Sequence, residues 1–193
     1  PIQLSPKLRF LPAPSLSYKP ETNFALGISL QGFYNEHPTE TNLLSSFQLD
    51  IIYTLNKQFI IDGDYSIKKD QGNWLFQGSN SFYQYPQKFY GLDGEQDPED
   101  ISYSKVELYN QAYRMVAPQL YVGLMYHYLR LTKFTYPSGG DFDRLLLEIG
   151  LPEPYHGVGL GSIYDQRKNL ANPKAGGSYL SFFSEFYPRR HRH

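Results

Sequence analysis

Cysteine is absent from the 193-residue chain, which excludes disulfide bonds, thiolate metal centres and cysteine nucleophiles. No run of about 18 apolar residues occurs, so a transmembrane helix is excluded as well. No basic stretch followed by an apolar one opens the chain, so a signal peptide is not visible. Charge of one sign is missing: Lys plus Arg is 18 and Asp plus Glu is 19, leaving no field that would draw nucleic acid. Trp occurs once and Met twice. Neither a G-x-S-x-G elbow nor a Ser-His-Asp order is found. No enzymatic activity, cofactor or metal is therefore expected.

What the chain does have is Tyr (18), Phe (13) and Gly (16), arranged in alternating runs. Phe24, Leu26, Ile28, Leu30 and Tyr34 share one phase, against Ala25, Gly27, Ser29 and Gln31. Leu43, Phe47, Leu49, Ile51 and Tyr53 oppose Ser46, Gln48, Asp50 and Thr54. Phe59, Ile61, Tyr65 and Ile67 oppose Asp62, Asp64, Ser66 and Lys68. Near the end, Val158, Leu160 and Tyr164 oppose Gly157, Gly159, Gly161, Asp165 and Arg167, and Leu180, Phe182 and Phe186 oppose Ser181 and Glu185. Period-two alternation of this kind predicts antiparallel strands that are apolar on one face only. The run Asn169 to Gly177, dense in Asn, Pro and Gly, predicts a turn between the last two.

Nine strands are expected: about 11–19, 24–34, 42–55, 59–68, 74–85, 103–116, 120–134 and the final pair. Positions 1–10 show no strong pattern. The fifth strand is mixed, the seventh changes phase near Tyr128 as a bulge would make it do, and 136–154 reads as a long loop. At roughly 10–14 residues these strands exceed the five or six usual in soluble sheets and suit a tilted crossing of a bilayer, which needs about 9–11. Tyr34, Tyr53, Trp74, Tyr85, Phe89, Tyr90, Phe134, Tyr136, Phe186 and Tyr187 recur near strand ends, as in the aromatic girdles of membrane barrels. The fold expected is all-β: an antiparallel up-and-down transmembrane β-barrel occupying residues 1–193 as a single, partial domain. An odd strand count points to an incomplete barrel, unless eight strands close alone. The 93–100 and 136–154 loops should share one rim and the 169–177 turn the other.

Several segments resemble the BamA/TamA-type outer-membrane assembly superfamily. Tyr164-Asp165-Gln166-Arg167-Lys168-Asn169 with Asn172-Pro173-Lys174-Ala175-Gly176-Gly177-Ser178-Tyr179 is similar to its D-x-R…P-x-x-G hairpin. Positions 14–22 leading to Leu26-Gly27 resemble an opening hairpin, and Phe89-Tyr90-Gly91-Leu92 an aromatic-Gly strand end. The likeness spans Leu11 to Tyr187. It implies the N-terminal half of a 16-stranded barrel in the outer membrane of a Gram-negative cell, a role in outer-membrane protein assembly or translocation, and outer-membrane lipid and other outer-membrane or periplasmic proteins as partners. Asp165, Arg167, Asn172, Pro173, Gly176 and Gly177 carry the motif. The family's N-terminal periplasmic domain and its Arg-Gly-aromatic loop are not among these residues.

Asp50, Asp62, Asp64 and Glu185 read as polar groups facing a barrel lumen. Asp62 and Asp64 share a face and could hold a cation, but solvated lumen charge is the simpler reading. His127 stands without a metal-ligand cluster, and His191-Arg192-His193 reads as a basic tail. Gly157, Gly159 and Gly161 precede no helix, so they form no phosphate loop; glycine there implies strand bending or the close approach of another segment. A passive channel with charges tuning selectivity is the second reading, and a soluble ligand-binding barrel a poorer third.

Overall fold

The computed structural model describes residues 7–19, 23–35, 44–91, 97–165 and 177–186, the last stretch through its backbone and register. Among the described residues nine strands form one sheet in sequence order: β1 (Lys7–Lys19), β2 (Asn23–Asn35), β3 (Leu44–Thr54), β4 (Phe59–Lys69), β5 (Trp74–Phe89), β6 (Glu99–Ala117), β7 (Leu120–Thr135), β8 (Tyr155–Asp165) and β9 (Gly177–Phe186). Every neighbouring pair is antiparallel. Among the described residues the sheet is open, with β1 and β9 as its edges. Pro12 and Pro14 lie in β1, at an edge where a missing N–H donor is tolerated. Alternation of direction puts the β5–β6 and β7–β8 connections at one end and those of β4–β5, β6–β7 and β8–β9 at the other.

Register sorts the side chains into two unlike faces. Ile28, Ile51, Ile61, Phe82 and Val106 stand opposite one another across β2 to β6. Leu16, Leu26, Tyr53 and Phe59 form a second apolar row, and Leu124 faces Leu160. Many of these residues stand exposed on that face, Leu26 at 64%, Leu124 at 66% and Leu160 at 59%, while Phe59, Ile61, Phe82 and Val106 are half-buried. The opposite face carries Gln, Ser, Asp, Lys, Glu and Tyr. Its lower end holds a small core, Leu75, Tyr113 and Tyr121 with Met115 and Ile163 packed against them. The usual arrangement, apolar side packed and polar side wet, is thus inverted.

Three features differ from the pattern expected. β1 begins at Lys7, because Leu8 and Phe10 continue the alternation and pair with Tyr34 and Gly32. The irregularity of β7 is not at Tyr128, which pairs in register with Leu108; it lies where Ser102 and Ser104 meet Thr135 and Thr132, at Lys133 with φ 54°. The stretch 136–154 contains a helix, α1 (Asp141–Ile149). Its apolar positions 142, 145, 146 and 149 follow helical spacing. The apparent phase change in β7 has the same origin, since Leu131 lines the space beneath α1.

The girdle aromatics divide. Tyr34 and Trp74 lie on the apolar face at the end of the β4–β5 turn, where Lys69 sits 5.7 Å from the Tyr34 ring centre and Arg114 5.3 Å from that of Trp74. Tyr53 is at the opposite end of that face. Phe89, Phe134 and Tyr136 instead surround Phe142 of α1, with ring centres 5.1, 6.2 and 5.4 Å away. Tyr187 lies outside the described residues.

Candidate functional site

The polar face carries a belt of hydrogen-bonded side chains running from β2 to β7. Gln31 Nε2 donates to Gln48 Oε1 at 3.1 Å, and Gln48 Nε2 to Asp50 Oδ2 at 2.6 Å. Asp50 stands opposite Asp62; two carboxylates so placed repel, and each is turned to its own donor. That of Asp62 is the Tyr83 hydroxyl at 2.7 Å. Lys105 Nζ lies 4.9 Å from the Tyr83 ring centre and donates to Glu107 Oε2 at 2.7 Å. The other Glu107 oxygen is 2.9 Å from His127 Nε2. His127 is held edge-on between Tyr155 and Tyr109, at 5.0 and 5.6 Å. Lys105 and Glu107 side chains are about 30% exposed, so the pair is wet and contributes position more than stability.

Each residue of the belt is placed by strand parity. Positions two apart project to the same side, so Gln48 and Asp50, Asp62 and Asp64, and Lys105, Glu107 and Tyr109 are brought together by β3, β4 and β6. Asp64 shares the side of Asp62 but is exposed, with no hydrogen bond to another side chain among the described residues. Glu185 is opposite Gly157 in register. Asp165 ends β8 on the glycine side, half-buried, its backbone N–H donating to the Gln119 carbonyl at 2.9 Å. Gly177 faces it as the first residue of β9. Arg167, Asn172, Pro173, Gly176 and 191–193 lie outside the described residues. Among those described, no group of three or more His, Asp or Glu is placed to hold a metal ion.

The glycines of β8 have a specific neighbour. Tyr113, fully buried, lies across Gly123 and Gly161, which are opposite each other. A methyl group at Gly161 would come 2.7 Å from the Tyr113 hydroxyl and 3.1 Å from the Met125 sulfur. That hydroxyl donates to Gln111 Oε1 at 3.0 Å. The device recurs on the apolar face: Phe47 covers Gly32, and Tyr65 covers Gly78. There Asn80 and Asn110 exchange amide hydrogen bonds of 3.2 and 2.9 Å, and Tyr65 donates to Asn110 at 2.8 Å. This satisfied cluster in an apolar surround is why β5 reads as mixed.

Strands β5, β6 and β7 have 16, 19 and 16 residues, against 11 in β3, β4 and β8. β4–β5 pairing ends at Phe59 opposite Gln84, whereas β5–β6 continues to Phe89 opposite Glu99. α1 packs on this overhang. The Glu99 carboxylate accepts the N–H groups of Asp141 at 2.5 Å and Phe142 at 3.2 Å, supplying the cap that Gly140 lacks.

Sequence reasoning reached Asp50, Asp62 and Asp64 and missed Tyr83 and, on β6, Lys105, Glu107 and Tyr109. Their signal was the alternation of 103, 105, 107, 109 and 111 against Val106 and Leu108, masked by tyrosines on the polar side and Asn110 on the apolar one.

No protein-family model, curated protein or solved structure matches the chain. What fold and site define together is a class by geometry: an antiparallel meander, apolar and exposed on one face, polar and internally hydrogen-bonded on the other.

Proposed function

We propose that this sheet is wall of an outer-membrane β-barrel of the BamA/TamA type, taking part in outer-membrane protein assembly or translocation. The observation that carries the membrane part is the inverted sheet: large apolar side chains at Leu16, Leu26, Ile28, Leu124 and Leu160 are exposed on one face, while the belt occupies the other. In lipid those side chains need no covering, whereas in water so broad an apolar surface promotes association. Tyr34, Lys69, Trp74 and Arg114 at one end of that face suit a headgroup interface. The assembly role rests on the Asp165–Gly177 resemblance, as does a count of sixteen strands. The strands of an open sheet present unpaired backbone groups at both edges, costly in hydrocarbon, so further pairing partners belong to this reading.

The test is solvent dependence. The full chain should remain folded and monodisperse only in detergent or lipid, resist carbonate extraction, and run faster on gels before boiling than after. A monodisperse β-rich chain in plain buffer would overturn the reading. The belt favours a second reading, a passive channel lined by Asp62, Lys105 and Glu107. Discrete conductance steps in planar bilayers, altered by Lys105→Met, would select it.

A further inference from the structure

We infer that the polar face of β2 to β6 carries a subsite for a short neutral oligosaccharide. A cleft of about 400 Å³ lies there, within the range of small-ligand sites. Its floor is built from two register rows. Ser46, Ser66, Gln77 and Gln111 stand opposite one another on β3, β4, β5 and β6. Gln31, Gln48, Asp64, Ser79 and Tyr109 form the adjoining row across β2 to β6. Phe33 on β2 and Tyr109 on β6 place an apolar ring at each end. The strands between them span about 19 Å, four spacings of about 4.8 Å, which suits a chain of sugars better than one.

The lining chemistry selects the ligand. Amides and hydroxyls both donate and accept, matching sugar hydroxyls, which do the same. Internal bonds fix the amide orientations: Gln77 Nε2 donates to Ser66 Oγ at 3.5 Å, and Gln111 Oε1 accepts from Tyr113. The Gln111 amide donors, the Ser79 hydroxyl and the Asp64 carboxylate retain hydrogen-bonding capacity toward the cleft. An anionic ligand would meet Asp64 and no cation in the lining, Lys105 being held by Glu107. An apolar ligand would leave the amides unpaired, at a cost in binding. Asp64 is the lone carboxylate in the lining, too few ligands for a hard cation.

The experiment is calorimetric titration of the full chain, in a zwitterionic detergent free of sugar headgroups, with maltohexaose, cellohexaose and chitohexaose. At least one should bind saturably with a Kd of about 1 mM. The Gln77→Leu/Gln111→Leu variant should weaken it by roughly tenfold or more, while Leu147→Ala, on the exposed side of α1, should not. If the double variant loses its β-sheet circular dichroism, Tyr109→Leu is titrated instead with the same expectation. Absence of binding by all three sugars, undiminished binding by the variant, or equal binding of sulfated maltohexaose overturns the subsite. The inference stands on the polar face alone. A chain that binds sugar yet needs no detergent would sink the membrane reading and leave this one.

Discussion

At positions 123 and 161 the missing side chains leave the space that the Tyr113 ring fills. Any β-carbon at 123 would run into the Ala112 carbonyl oxygen as well as the Tyr113 ring and backbone, whereas one at Gly63 would have nothing nearer than 3.7 Å. Overpacking a filled site costs about 1–3 kcal/mol, and a substitution that meets only ordinary contacts about 0.5 kcal/mol or less. Gly123→Ala should therefore lower the urea midpoint of the folded chain clearly, and Gly63→Ala hardly at all. Equal midpoints for the two variants would mean that the ring does not rest on the glycines. The glycine-bearing side of β8 was legible as the side that something approaches. What approaches was not, because it depends on β6, β7 and β8 being in one register, which no local pattern encodes. The acidic residues were legible one by one for the same reason. Asp62 reads as a solvated charge until Tyr83 is placed beside it by β4–β5 pairing.

At the scale of elements, the strongly alternating strands β2, β3, β4 and β8 could be read directly, since one face of β2, β3 and β4 is nearly all apolar and β8 sets Val158, Leu160 and Tyr164 against glycines. β5 and β7 could not, because each serves two environments along its length. The Tyr65–Asn110–Asn80 cluster interrupts the apolar phase of the first, and α1 draws apolar residues to the polar side of the second. α1 itself has the spacing of a helix but only nine residues, too short to be stable alone, and its cap comes from a strand 42 residues away. Asp141 and Asp143 in its first turn favour the helix dipole, and the Gly150 N–H closes the other end on the Leu146 carbonyl at 2.7 Å. Removing the distant cap by Glu99→Ala should cost α1 about 0.5–2 kcal/mol. Amide exchange in 141–149 should accelerate accordingly, while exchange in β3 and β4 stays unchanged. Unaltered exchange across α1 would show that the ring contacts of Phe142 hold the helix without Glu99.

For the whole molecule the proposal places the two faces in different media: Leu16, Ile28, Ile51, Leu124 and Leu160 toward lipid, and Gln48, Asp62, Glu107 and Gly159 toward water. Period two makes this claim sharp, since neighbouring residues must report opposite surroundings. A chain with no native cysteine allows each position to be labelled singly without background. The deciding measurement is a single-cysteine scan of the full chain in phospholipid vesicles, each variant carrying an environment-sensitive fluorophore and read with a lipid-borne and an aqueous quencher. Labels at Ile51, Leu124 and Leu160 should be quenched from the lipid and shielded from the aqueous quencher. Labels at Gln48, Glu107 and Gly159 should show the reverse. Alternating response along β3, β6, β7 and β8 is the result this account predicts; quenching from water at every position, or an alternation of opposite phase, would contradict it.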